Sequence, residues 1–168
     1  MKKIVALVLV LMMSLSMVAM AEYKSPAADA FTSASVSNFY TQYALTGDEL
    51  MDAVNDWYGE AIKGTYLVCT TNPDGTPNAA VFIFGIKKLN DKYYIQLGLA
   101  DNQSKANLAQ TGIGLAVFGF VPEGMTFAAG GARMYFKAIE DQAITDELMK
   151  DARETQMFFE ITEVLPLG

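Results

Sequence analysis

The stretch from Thr65 to Phe120 decides how this chain folds. It runs TYLVCTT (65–71), NPDG (72–75), TPNAAVFIFGI (76–86), KYYIQLGLA (92–100), DNQSKANL (101–108) and GIGLAVFGF (112–120). Side chains in the first, third and last apolar segments alternate with period two, the signature of strands. Asn72-Pro73-Asp74-Gly75 is a turn in which Pro presets φ and Gly accepts a positive φ. Asn78, Ala80, Phe82 and Phe84 alternate with Ala79, Val81 and Ile83, so one strand is expected from Thr76 to Ile86. Both of its faces are largely apolar, which suits a barrel wall or a dimer interface. Leu89-Asn90-Asp91 is a second reversal, and Asp101 to Gln110 reads as a loop followed by a short helix.

Working outward, Thr46 to Lys63 carries a helical stripe of Leu50, Met51, Val54, Trp57, Tyr58, Ala61 and Ile62. Thr46 and Glu49 have capping-box spacing, and Gly64 stands where a left-handed cap would end the helix. Three glycines, Gly112, Gly114 and Gly119, sit in the strand that leads to Phe120, where another backbone or a ligand can approach closely. Further strands are expected at Gly131–Ile139 and Met157–Val164. Between them Thr145 caps a short helix that turns Leu148, Met149 and Ala152 inward. About six strands joined by hairpins, with two or three helices, predict a mainly β fold: an antiparallel barrel with peripheral helices.

The first residues are of a different kind. Lys2 and Lys3 precede the apolar run Ile4–Met20, and Ala19-Met20-Ala21 has the small-x-small form of a cleavage site. Residues 1–21 are therefore read as a secretory signal peptide, with an uncleaved anchor as the alternative. Export to the periplasm or the extracellular space is expected. Residues 22–44, rich in Ala, Ser and Thr with Phe31, Phe39, Tyr40 and Tyr43, read as a linker or extended arm, and residues 45–168 as one domain.

A formal net charge of −7 argues against nucleic acid, whose affinity comes mainly from Lys and Arg neutralising phosphates. It argues equally against an anionic membrane surface once the signal is removed. Cys69 is the single cysteine, so no intramolecular disulfide forms, and its strand position suits a buried apolar residue. The chain has no histidine. Ser-His-Asp and Cys-His nucleophile systems are thereby excluded, and the commonest metal and haem ligand is missing. Any chemistry must be carried by something other than imidazole, which points towards a cofactor. The best ligand candidate is Asn102-Gln103-Ser104-Lys105-Ala106-Asn107-Leu108, where a hydroxyl, a lysine and the free N–H groups of a helix start can hold an anion. A solvated capping loop is the alternative.

The order of these parts resembles the FMN-binding split-barrel superfamily, in particular its pyridoxamine 5′-phosphate oxidase-like branch. The matching positions are Thr70-Thr71, Asp74-Gly75-Thr76-Pro77-Asn78, Ser104-Lys105-Ala106-Asn107-Leu108 and the strand from Gly112, within a span from Thr65 to Val164. The resemblance implies an antiparallel split β-barrel and a homodimer with flavin at the subunit interface. It also implies an FMN phosphate held by Ser104 and Lys105, with Gln103, and an isoalloxazine edge against Asn78, Ala79 and Ala80. Deazaflavin, or no cofactor, are the alternatives within the superfamily. Two cationic positions of the oxidase are Ala80 and Phe84 here, and its Trp- and Arg-containing C-terminus is absent. The expectation is thus an exported flavin-dependent oxidoreductase with a small-molecule or electron-transfer partner, not one that oxidises pyridoxamine phosphate itself. The alternatives are a non-catalytic flavin carrier and a cofactor-free interaction protein.

Overall fold

The computed structural model describes residues 38–57 and 64–168. The expected signal peptide, and the arm before Asn38, lie outside them. The described residues form one compact unit. Seven strands make a single antiparallel sheet: β1 (Thr65–Thr71), β2 (Pro77–Ala80), β3 (Phe84–Leu89), β4 (Lys92–Gly98), β5 (Ile113–Phe120), β6 (Gly130–Ala138) and β7 (Gln156–Leu165), ordered β2-β1-β5-β6-β7-β4-β3. Among the described residues four helices accompany them: α1 (Asn38–Thr41), α2 (Gly47–Asn55), α3 (Gln103–Thr111) and α4 (Gln142–Met149). The fold is mainly β with peripheral helices.

Chain connectivity closes this sheet into a barrel. The two edge strands, β2 and β3, are consecutive in sequence and joined only by Val81–Ile83. Four Cα steps reach at most about 14 Å, whereas a flat seven-stranded sheet would hold its edges about 29 Å apart. The sheet must therefore curl, and because β2 and β3 do not pair, the wall stays split between them. The single strand expected over Thr76–Ile86 is thus two strands with a break, and the described residues hold seven strands rather than about six. Phe82 in the break packs against the core, while Val81 and Ile83 point out, 75% and 57% exposed.

Helix α2 keeps the split open. Asn55 acts as a surrogate strand residue: its Nδ2 donates to the Ile86 carbonyl (2.8 Å) and its Oδ1 accepts from the Ile86 N–H (2.9 Å). The Trp57 indole N–H donates to the Phe84 carbonyl (3.0 Å). Edge groups that would otherwise seek a strand are satisfied by side chains instead. For this to happen the helix must end at Asn55, earlier than the apolar stripe predicts; Tyr58–Lys63 lie outside the described residues. Thr46 is the N-cap residue but its side chain makes no capping bond, so the capping box is not formed. Gly64 is needed for space: a Cβ there would collide with the Phe118 ring.

Inside the barrel, Tyr66, Val68, Phe84, Ile86, Ile95, Leu97, Ala116, Phe118, Met134, Phe136 and Phe159 form one buried cluster, with Leu50 and Val54 of α2 sealing an end. On the outer face of β4 and β7, α4 covers Tyr94 and Phe158 with Leu148. Its N-cap is Asp141, whose carboxylate accepts from the Ala143 N–H, rather than Thr145. Asn90 and Asp91 both take left-handed φ values in the tight β3–β4 turn, a conformation these two side chains tolerate. Segment 38–45 also joins the domain, since the Leu45 N–H donates to the Gly131 carbonyl (3.1 Å) and the Gly131 N–H to the Tyr43 carbonyl (3.0 Å).

Candidate functional site

Helix α3 and the β1–β2 hairpin build the site together. The turn forms as its residues dictate. The Gly75 N–H donates to the Asn72 carbonyl (2.9 Å), Gly75 takes φ +84°, and Asp74 accepts from both the N–H (3.0 Å) and the hydroxyl (2.6 Å) of Thr76. Those bonds, the hydroxyl's first, hold the Asp74 carboxyl below its ordinary 3.8. Helix α3 starts at an Asn102 cap, whose side chain accepts from the Lys105 N–H (3.0 Å), and ends at Gly112 in the left-handed conformation, φ +66°. Gly112 is thus a helix cap, not a strand glycine.

A polar network ties helix to hairpin. Asn78 Nδ2 donates to Ser104 Oγ (3.0 Å) and to Thr70 Oγ1 (3.1 Å). Asn107 Nδ2 donates to Thr70 Oγ1 (2.9 Å) and to Asn72 Oδ1 (2.8 Å), and its Oδ1 accepts from Gln103 Nε2 (2.7 Å). Asn107 and Ser104 are only 1% and 2% exposed, so these bonds replace water rather than compete with it. The inward face of β1 reads Tyr66, Val68, Thr70, and the third place is polar because this network needs its hydroxyl.

Of the six residues singled out from sequence, Asn78, Gln103 and Ser104 are brought together in this network. Lys105 points outward and pairs with Asp101 (2.7 Å). An open depression of about 470 Å³ lies beside the helix start, lined by Asp101, Asn102, Gln103, Lys105, Ala106 and Ala109. Lys105 is the one cation among the described residues that line it. Ser104 Oγ is turned inward onto Asn78. Ala79 and Ala80 follow Asn78 along the edge strand, paired with Cys69 and Val68, and do not line the depression. Thr70, Asn72 and Asn107 belong to the network as fully as Asn78, Gln103 and Ser104 do. The polar place in the period-two face of β1, and the i, i+4 spacing of Gln103 and Asn107, are the signals that point to them.

The donor set suits an anionic group. The N–H groups of Gln103 and Ser104 open the helix and have no carbonyl four residues back within it, Gln103 offers a carboxamide N–H, and Lys105 offers charge. Asp101 opposes it, since its carboxylate already neutralises Lys105. Among the described residues no three His, Cys, Asp or Glu side chains gather as a metal site. Half-buried Cys69 has its thiol pKa pushed up by burial, which disfavours the reactive thiolate.

No protein-family model matches the chain, and no curated protein matches it. Several solved structures are similar in fold. An FMN-binding protein from Syntrophomonas wolfei subsp. wolfei shares 16% identity, over 72% of this chain and 85% of that one, at a TM-score of 0.47. HupZ from Group A Streptococcus shares 15% over 73% and 94% at 0.44. The conserved hypothetical protein Rv2991 from Mycobacterium tuberculosis shares 13% over 73% and 85% at 0.40.

Proposed function

We propose that this chain is an exported, dimeric FMN-binding protein that serves as a flavin-dependent oxidoreductase. The flavin phosphate sits at the start of α3, and the ring system lies along Asn78–Ala80. The observation that carries the reading is the 3.0 Å bond from Asn78 to Ser104. Two segments 26 residues apart, assigned to one cofactor on sequence resemblance alone, meet in space through it.

The residues fit the group in kind. Gln103 and Ser104 present backbone N–H donors where the helix dipole favours negative charge, and Lys105 adds a cation at the rim. Asn78, bonded to both Thr70 and Ser104, holds β2 at a set distance from that rim, so phosphate and ring would be oriented by one rigid frame. Flavin, when bound, would supply the redox centre itself, so the chemistry fits a site that has no imidazole to act as acid or base. The exposed Val81 and Ile83, beside Ala80, are apolar surface suited to a flavin ring or a second subunit.

The Lys105–Asp101 pair favours a second reading, a flavin carrier of low affinity without turnover. Titrating the secreted protein with FMN, following quenching of flavin fluorescence, tests both. Saturable binding weakened by Lys105→Glu is expected; binding that the variant leaves intact, or no binding at all, overturns the proposal. Photoreduced protein that transfers electrons to no quinone, dye or oxygen acceptor would favour the carrier. Sedimentation of the same sample should give a dimer.

A further inference from the structure

The polar network has a direction, and its origin is a carboxylate remote from the depression. Four hydrogen bonds run in one sense. Gln103 Nε2 donates to Asn107 Oδ1 (2.7 Å), Asn107 Nδ2 to Asn72 Oδ1 (2.8 Å), Asn72 Nδ2 to Thr76 Oγ1 (3.0 Å), and Thr76 Oγ1 to Asp74 Oδ1 (2.6 Å). Hydroxyls and carboxamides can each donate and accept, so an isolated chain of them could run either way. An ionised carboxylate can only accept. With Asp74 at one end, Thr76 must give its proton outward and receive Asn72 through an N–H. Asn72 must then turn its oxygen to Asn107, and Asn107 its oxygen to Gln103. Thr70 does not decide the sense, because its hydroxyl adapts to either orientation. Among the described residues of the network Asp74 is the one group without that freedom. Its carboxyl is held below the ordinary range by Thr76, so it is ionised at neutral pH.

We propose that Asp74 is a remote positioning residue for the site: through Thr76, Asn72 and Asn107 it fixes the Gln103 carboxamide with its nitrogen inward on Asn107. The second N–H of that nitrogen is then left as the donor shown to the depression, which selects a ligand rich in acceptors. This rests on the FMN-binding reading for the identity of the ligand, but not for the chain itself. Donors in such a series polarise one another, so cutting the chain at its outer end is felt at its inner end. The inner half is sheltered by the burial of Asn107, while Asp74 and Thr76 are exposed and tolerate substitution.

The test uses ¹⁵N-labelled protein and the side-chain amide resonances of Gln103, assigned by their loss in Gln103→Ala. Thr76→Val and Asp74→Ala each remove the outer bond, and both are expected to move the Gln103 resonances. Thr76→Ser keeps a hydroxyl and is expected to return them to the wild-type positions. FMN affinity should follow the same pattern, weakening about threefold to tenfold in the two cut variants, the worth of one hydrogen bond, and recovering in Thr76→Ser. Gln103 resonances unmoved by either cut overturn the proposal. So does a shift that Thr76→Ser fails to reverse, which reports distortion of the turn. A shift and recovery with unchanged FMN affinity overturns the role of Gln103 as the donor. If wild-type protein binds no FMN, the functional reading fails while the resonances still decide the chain.

Discussion

Replacing Asn107 gives the strongest test of the network as structure. Its side chain makes three hydrogen bonds between 2.7 and 2.9 Å at a position 1% exposed. Truncation in Asn107→Ala does not strand every partner equally. Thr70 keeps Asn78, and Gln103, at the rim of the depression, can turn to water. Asn72 is half-buried and keeps only part of its access. Three net bonds of about 0.5–1.5 kcal/mol each, with one partner incompletely resolvated, give a loss of about 2–4 kcal/mol. In a unit of this size that lowers Tm by about 10 °C. Asn107→Asp separates hydrogen bonding from packing, because it keeps the shape but replaces a double donor with a second acceptor facing Thr70 and Asn72. Burial and facing oxygens should raise its folded pKa above the unfolded value near 3.9. The sign then follows: the added cost is small while both states are protonated, and grows as pH rises through the unfolded and then the folded pKa. Urea denaturation of wild type and both variants at pH 4.5 and 7.5 reads this out. The aspartate should be the worse variant at pH 7.5 and should recover towards the alanine at pH 4.5. A loss below about 1 kcal/mol in Asn107→Ala, or a pH-independent aspartate variant, would refute the reasoning.

Gly131→Ala should cost more than about 3 kcal/mol or prevent accumulation of folded protein. Its φ is +127° and a Cβ would collide with the Phe118 carbonyl, a backbone atom that cannot rotate away. Gly124→Ala, at φ +80° with open space around it, should lose only about 1 kcal/mol, and equal losses in the two denaturation curves would contradict the packing argument. Asp101→Asn frees Lys105 and should tighten FMN binding modestly at low salt and less at high salt, because the pair is exposed and screened. Weaker binding in that variant would mean Asp101 supports the ligand. Asp48 accepts from Lys88 and from the Tyr93 hydroxyl, both at 2.9 Å, and these bonds, the Lys88 bond first, hold its carboxyl below the ordinary 3.8. Its contribution is present above the unfolded pKa and fades as pH falls through the folded one. The carboxyl ¹³C titration of Asp48 should therefore have its midpoint below 3.8, and a midpoint at or above that value would show the pair to be absent in solution.

Much of this was legible in the linear order of residues. Period-two segments around Asn72–Gly75 and Asn90–Asp91 specify antiparallel hairpins, because turn chemistry and alternation are local properties. A short helix within Asp101–Gln110 was readable too, but its start at an Asn102 cap was not, since the same residues also read as a loop. The break between β2 and β3 was not. Val81–Ile83 continues the same alternation as its neighbours, and only competition for the edge of β3 interrupts the strand. Asn55 and Trp57, 31 and 27 residues away from the carbonyls they cap, win that competition. The end of α2 at Asn55 has the same cause, as Asp56 and Trp57 leave the helix where those two side chains reach β3.

The site divides along the same line. Sequence alone nominated the residues for an anion site, since donors, a lysine and a helix start are counted locally. Tertiary structure decided what each of them does. Ser104 faces inward to Asn78 because the hairpin packs on the helix there, and Lys105 is left on the rim with Asp101. Thr70 and Asn107 become central because a buried hydroxyl and a buried carboxamide must find partners, and they find them in each other and in their neighbours in the network. Long-range proximity cannot be read from spacing; it appears only when the barrel closes and water is excluded from the groups it brings together.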